Sequence, residues 1–514
     1  MPYESVNGPR EPDILCRERE TPGNMERFLT MRPTVKFLSD ELIRQIIDEA
    51  VNVLGTLGVE IHNKELLSLL SDHGCKVAPD RSHVTLTEEN IQKALETAPK
   101  SFKLYDVLGN ETHDLAGRNI YYTPGSTALN ILDHQTLEMR KADTADFIAF
   151  SKLTSQLDHI AATSTAFITS DVCEEISDSY RLFLSLLYCE KPVVTGAFTI
   201  ESFNVMKDFQ LAIRGSEEAL RQKPLTIFSC CPTSPLKWSH ATSQNLIDCA
   251  KHHIPVELIA MPLSGFVAPV TLTGTLIQHT AETFSGIVMS QLAFPGAPIL
   301  YGGSPAVFDV RYETPPMGAV ETMMIDCACN EIGKHLTLPT QAYISMSDAK
   351  QLDAQAGLES GMGATLAALA GINSISGPGM IDFESCQSLE KLVLDNEICR
   401  MTYRMIEGIT PRDDFPAVPI LQELLQDGHL LISEHTLRHR DKEIWLPGPA
   451  IDRANRDRWK QQGSRNLGRR LHDQVGELLK SYEPSRLPQS AKHDLIALMG
   501  EEARRRGQEH LPPR

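Results

Sequence analysis

Eight short apolar runs constrain this chain more than any other feature. They lie at 120–123, 160–167, 192–198, 225–230, 255–262, 298–304, 339–345 and 372–377. Between them stand segments with helical spacing, such as Phe147, Phe150, Leu153 and Leu157, then Leu182, Leu184, Leu186 and Leu187. Strands alternating with helices imply a parallel sheet, and eight is the number that closes a (β/α)8 barrel. Five of the runs open on or just after proline, which suits the first position of a strand. A doubly wound open sheet is the alternative, but no G-x-G-x-x-G follows any of the runs. The expected fold class is therefore α/β, a (β/α)8 TIM barrel over 111–425. An irregular arm (1–33) and a small helical domain (34–110) precede it, and a C-terminal helical extension (426–514) follows. In the helical domain Ser39 or Asp40 caps a helix with Leu42, Ile46, Ala50, Val53, Leu54 and Leu57 on one face. Thr87 caps another, with Ile91, Ala94, Leu95 and Ala98 inward. The last thirty residues are expected to be loose.

Composition removes several classes of function. A chain of 514 residues that is 41% hydrophobic and 23% charged is globular rather than disordered. Its net charge of -18 argues against a nucleic-acid binder, which needs a basic face for phosphates. The 11 cysteines are odd in number and contain no CxxC pair, the pattern of reduced thiols in a cytoplasmic protein. No apolar leader opens the chain. Two uncharged runs, 258–278 and 283–308, are long enough to span a bilayer. Each is broken by proline and glycine (Pro262, Gly265, Pro269, Gly274; Pro295, Gly296, Pro298, Gly302, Gly303), so both are read as buried elements, not membrane spans. No metal site is expected, because Cys327, Cys329, His252 and His253 lack the partners a tetrahedral zinc site requires. G-x-S-x-G is absent, so a serine triad has no support.

In a barrel of this kind the chemistry sits at the C-terminal strand ends. The richest end is the seventh, where the stretch 338–359 runs from an apolar strand into Ser347, Asp348, Lys350, Gln351, Asp353, Gln355 and Glu359. The same residues would also serve as a helix cap. Aromatics recur at the ends although the chain is only 6% aromatic: Tyr122, Phe198, Trp238, Tyr301, Phe308, Tyr343 and Phe383. Ring faces attract a quaternary ammonium, although each ring could equally cap the core. Gly302-Gly303 with Ser304, and Gly377 with Gly379, would let backbone amides approach a phosphate or leave room for a flat partner.

Several longer phrases carry a family resemblance. They are SPLKW (234–238), APVTLTGTL (268–276), QLAFPGAPILYGGSPAVFD (291–309) and SDAKQLDAQAGLE (347–359), with EHTLRH (434–439) and WLP (445–447) in the tail. Together they resemble the trimethylamine:corrinoid methyltransferase family, over about residues 30–480. The resemblance implies a TIM barrel that passes a methyl group from an amine to the Co(I) of a separate corrinoid protein, with no cofactor held tightly by this chain. Archaeal trimethylamine enzymes of that family carry pyrrolysine, and this sequence has none, which favours a quaternary amine such as glycine betaine as the donor. On this reading Tyr122, Phe198, Trp238, Tyr301, Phe308, Tyr343 and Phe383 form an aromatic cage, and Arg311 or Lys350 holds a substrate carboxylate. Asp348, Asp353 and Glu359, with Gln355, balance the ammonium or orient its neighbours. Gly302, Gly303, Ser304, Gly377 and Gly379 leave the mouth open for the corrinoid. The expected partners are a corrinoid protein and a small amine, and the expected assembly is a homo-oligomer. A TIM-barrel lyase or aldolase acting on a phosphorylated substrate, or a non-catalytic quaternary-amine binding protein, are the competing readings.

Overall fold

The structure is a computed structural model that describes residues 31–78 and 82–513. All but the last three residues of the expected arm, Cys16 included, lie outside those residues. Each of the eight apolar runs contains a strand: β1 Tyr121–Thr123, β2 Thr163–Ser164, β3 Val193–Thr195, β4 Thr226–Cys230, β5 Val256–Leu258, β6 Ile299–Leu300, β7 Gln341–Tyr343 and β8 Ser374–Ser376. All pair in parallel, in one sheet of order β6-β5-β4-β3-β2 and another of order β7-β8-β1. Tyr301 bridges to Thr340, and its N–H donates to the Pro339 carbonyl at 2.8 Å. At the opposite edges the Ala161 N–H donates to the Tyr122 carbonyl, also at 2.8 Å. The fold is mixed α/β.

The strands are covered on both faces, which is why they read as continuous apolar runs rather than alternating ones. One face packs on helices, including Leu272–Ala293, Val320–His335, Ala354–Ala370 and Leu389–Ile406. The other, inner face carries its own apolar cluster toward the strand starts. There Val194, Ile227 and Leu300, with Tyr121, meet Leu104 and Leu115 from the hairpin Lys103–Tyr105/Glu111–Asp114 and its flank. Successive side chains along a strand alternate between these two environments. The uncharged run 258–278 and its neighbour 283–308 resolve into β5, the short strand Leu263–Ser264, the helix Leu272–Ala293 and β6. Among the described residues no helix is long and apolar enough to cross a membrane.

Residues 34–110 hold the helices Asp40–Thr56, Lys64–Asp72 and Glu88–Thr97, capped by Ser39, Asn63 and Thr87. They also contain short strands, and Val59–Ile61 pairs in parallel with Lys237–Trp238. The first helix buries Ile43, Ile46, Ala50 and Leu54, whereas Leu57 is exposed. The tail differs from expectation. Its last thirty residues are not loose, because the helix Gln489–Arg505 buries Ala491, Leu495, Met499 and Ala503. Those four residues recur at every fourth position, the spacing of one helical face. By contrast, the helices Val418–Asp427 and Glu434–Glu443 bury no residue.

Candidate active site at the strand ends

The polar turn after β7 is tightly knit. The Asp348 carboxylate accepts from the Met317 and Gly318 N–H groups, both at 2.9 Å, and so fixes the loop leading into the helix Val320–His335. Glu359 accepts from the Ser347 hydroxyl at 2.6 Å and the Asp348 N–H at 2.9 Å, and from the Gln355 side chain at 2.9 Å. Burial pushes the Asp348 carboxyl up to about 6. Asp353 is the N-cap of the helix Ala354–Ala370, receiving the Gln355 and Ala356 N–H groups. The structure therefore brings Asp348, Gln355 and Glu359 together in one network, but that network is occupied in holding backbone. Lys350 donates to the Asp348 carbonyl at 2.7 Å, and its ammonium lies 3.9 Å over the Phe383 ring.

The expected aromatic cage does not assemble. Tyr122 and Tyr301 point to the helix-facing side of their strands: Tyr122 bonds the Ala364 carbonyl and the Thr402 hydroxyl, and Tyr301 bonds the Thr280 hydroxyl at 2.9 Å. Trp238 is fully buried and donates to Ser285 of the helix Leu272–Ala293. Phe198 is half exposed under the Arg181 guanidinium, and Phe308 stacks on Phe266 with centroids 4.8 Å apart. Arg311 is exposed and paired with Asp309. Of the seven rings, Tyr343 is the one that stands on the inner face of the eight strands: it lies beside Glu257, Cys231 and Ser126, and it alternates with Thr340 and Ala342, of which Thr340 meets Gly333 of the helix Val320–His335.

The glycines are also accounted for by packing within the chain. A Cβ at Gly302 would lie 2.5 Å from the Gln341 side chain, one at Gly303 2.3 Å from His279, and one at Gly379 2.2 Å from Gln387. At Gly377 the clash would be with the Ile344 carbonyl, and its φ of 140° is one that only glycine adopts freely. Ser304 is nearly buried, its N–H bonded to the Ala260 carbonyl.

Two acids absent from the expected set occupy the inner face instead. Glu257, in the middle of β5, is fully buried and accepts from Ser229 of β4 at 2.7 Å; its second oxygen has no partner among the described residues. Burial pushes it up to about 7. Glu384 is pushed up to about 8 by burial, offset in part by the Ser126 N–H at 3.3 Å and reinforced by the charge of Glu257. Both acids and Cys231 bear on Tyr343, whose hydroxyl lies against Ser126. Gln341 and Ser376 share this face, and the Gln341 amide nitrogen and the Ser376 hydroxyl have no partner among the described residues. Among the described residues no lysine or arginine forms an ion pair with Glu257 or Glu384. The group is thus anionic in potential and short of partners, as expected of a site awaiting a small polar ligand.

Glu384 is held there by strained backbone. Asp382, Phe383 and Glu384 have φ of 52, 55 and 69°, three consecutive left-handed residues without a glycine. Each costs roughly 1–2 kcal/mol for an L-residue, and such strain persists only where the surroundings over-determine it. The restraint comes from the β7 turn: the Ala349 carbonyl accepts the Asp382 N–H at 2.9 Å, and Lys350 covers Phe383. The polar stretch that stood out in the sequence is the buttress, and the acid it supports is on the next loop.

The family model described as trimethylamine methyltransferase (MTTB) matches residues 12–508. The trimethylamine methyltransferase MttB of Methanosarcina barkeri is 30% identical over 90% of this chain and 94% of its own length. The MttB of Desulfitobacterium hafniense is 28% identical over 90% and 93%. The glycine betaine methyltransferase of Desulfitobacterium hafniense is 25% identical over 93% and 99%. Matched by that family model over residues 12–508, the chain belongs to the trimethylamine methyltransferase family and is a methyltransferase.

Proposed function

We propose that this methyltransferase takes its methyl group from a small quaternary amine of the glycine betaine type and passes it to the Co(I) of a separate corrinoid protein. The observation that carries the reading is a pair of acids without a basic partner, the fully buried Glu257 and the partly exposed Glu384 beside it. Acids raised this far keep a substantial share of their protons near neutral pH. A permanent cation placed against them reverses the balance, because Coulomb attraction at low dielectric favours the carboxylate form. A quaternary ammonium has no N–H to donate, so it needs charge and a ring face rather than acceptors, and Tyr343 supplies the face.

The same acids offer a release device. The docked corrinoid supplies the nucleophile, and the protein's part is to position the donor and complement its charge. As the methyl group leaves, the nitrogen keeps the electron pair of the C–N bond and departs as a neutral tertiary amine. The carboxylates then lose their counter-charge, take up protons again, and no longer hold the product. No general acid is required. Free trimethylamine lacks the permanent charge, and the chain lacks the pyrrolysine of the archaeal trimethylamine enzymes.

We read the eight strands as one closed (β/α)8 barrel, supported by the backbone bonds that link β6 to β7 and β1 to β2. The division at 33, 110 and 425 belongs to the same reading. The phosphate-cradle alternative loses its footing, since the space beside each glycine is filled and two acids would repel a phosphate. The test is absorbance of Co(I) cobalamin, or of a candidate corrinoid protein, mixed with the enzyme and a panel of methylamines and betaines. Loss of the Co(I) band with a quaternary amine is expected. Turnover of trimethylamine alone would overturn the assignment.

A further inference from the structure

Three side chains from distant parts of the chain converge at one point outside the strand-end site. His134 follows the strand Asn130–Leu132, Glu390 is the second residue of the helix Leu389–Ile406, and His472 stands on the helix Leu467–Lys480 of the C-terminal extension. The Nδ1 atoms of His134 and His472 lie 2.6 and 3.3 Å from the same oxygen, Glu390 Oε1. All three atoms lie within 4.8 Å of one another. The imidazoles stack with centroids 4.2 Å apart and planes 20° from parallel. The Glu390 side chain is 2% exposed, and among the described residues its ion-pair partners are these two rings.

We propose that His134, Glu390 and His472 bind a borderline divalent cation, Zn2+ in first place, which staples the C-terminal extension to the frame around the strand ends. Two imidazole nitrogens and a carboxylate oxygen are a complete protein donor set for zinc, with a water in the fourth position. Tetrahedral bonds of about 2.0–2.1 Å separate neighbouring ligand atoms by about 3.3 Å. Of the three donor pairs, His472 and Glu390 already have that spacing at 3.3 Å, His134 and Glu390 open to it from 2.6 Å, and the nearly parallel rings turn out of their stack so that both Nδ1 lone pairs meet one ion. Without a cation, one oxygen must accept from both rings. A cation satisfies all three ligands together and leaves each Nε2–H for an outer partner. The absence of thiolate favours Zn2+ and its neighbours over Cu+.

A second trio, Asp413, His435 and His439, has similar spacing but a different electrostatic state. There Asp413 is already paired with the Arg438 guanidinium at 2.9 Å, and its side chain is 42% exposed. That positive charge competes with a cation, and no such competitor touches Glu390. The His134 site also has structural leverage. The next residue, Lys391, pairs with Asp395, and Asp395 accepts the Gly379 N–H at 2.6 Å, so the start of this helix anchors the loop after β8. Spacing rules applied to the sequence do not reveal the site, because its ligands are 256 and 82 residues apart.

The test uses the full-length protein dialysed against chelator. Calorimetric titration with Zn2+ is expected to show one tight equivalent and a raised thermal midpoint. His472→Ala and His134→Ala are expected to lose at least about tenfold in affinity, and the double variant His435→Ala/His439→Ala to keep it. Unchanged binding in the first two variants, or loss in the third, would sink the proposal. If the alanine variants fail to fold, wild-type protein with Co2+ decides. Visible bands of a low-coordinate, imidazole-ligated ion support the site, and the spectrum of the free aquo ion overturns it.

Discussion

The two faces of the same eight strands have opposite chemistry although the sequence alternates between them residue by residue. On the helix-facing side the two strand tyrosines are satisfied: Tyr122 has two partners and Tyr301 has Thr280. On the inner side, beyond the apolar cluster, Glu257, Gln341 and Ser376 keep donors or acceptors unused. A buried polar group without a partner costs about 1–3 kcal/mol, so a fold tolerates several in one place only where they serve something else. The helix-facing tyrosines hold the fold, and the inner group is where binding energy can be recovered.

The sharpest way to break this comparison is to neutralise the inner acids without changing their shape. Glu257→Gln with Glu384→Gln is expected to lower methyl transfer by about a hundredfold or more, the scale seen when a pre-organised electrostatic partner is removed. The protein should stay folded. Both acids are raised well above the ordinary carboxylate range, so between about pH 4.5 and 8 the native state holds protons that the unfolded state has released. Stability due to these groups is therefore present at low pH and is lost as pH rises through 7 to 8. Thermal melts from pH 5 to 8.5 should show a falling midpoint in the wild type and a flatter profile in the double variant. Affinity for a quaternary amine should run the other way, rising with pH until both acids are ionised. A pH-independent affinity would remove the acids from the site.

A smaller effect separates Tyr343 from the other rings. Tyr343→Leu removes a π face at the inner site, and a cation over an aromatic ring contributes about 0.5–2 kcal/mol. The expected result is a weakening of quaternary-amine binding by roughly threefold to thirtyfold, read by calorimetry. Phe198→Leu, on a ring engaged with Arg181, should leave that binding unchanged. Equal losses in both would restore the wider cage.

How much of this was legible follows from the same two faces. The strands were visible because burial on both sides made them apolar runs, and proline marked their starts. Glu257 was legible too, as a lone acid inside the run 255–262, but it reads as noise until burial is known. Whether Tyr121 or Tyr122 faces inward depends on a one-residue register that no apolar run specifies. Asp348 and Glu359 stood out because the turn is dense in polar residues, yet that density serves the backbone of 316–318 and 382–384. Glu384 carries no local pattern, since its position comes from three left-handed residues in a sequence without a glycine.

The smallest expected effect tests the helix-facing side by itself. Tyr301→Phe removes one hydroxyl from a fully buried ring and leaves the ring against His279 and Phe284. The Thr280 hydroxyl then loses its phenol partner, and a neutral hydrogen bond of this kind contributes about 0.5–1.5 kcal/mol. Chemical denaturation should show a loss of about 1 kcal/mol with an unchanged dependence on denaturant, because the surface exposed on unfolding is the same. Transfer activity should match the wild type, since the hydroxyl points into the helix layer. A drop in activity at equal stability would mean that the two faces communicate, and Gly302-Gly303 would be the route, since Tyr301 is joined through them to Gln341 and the inner site.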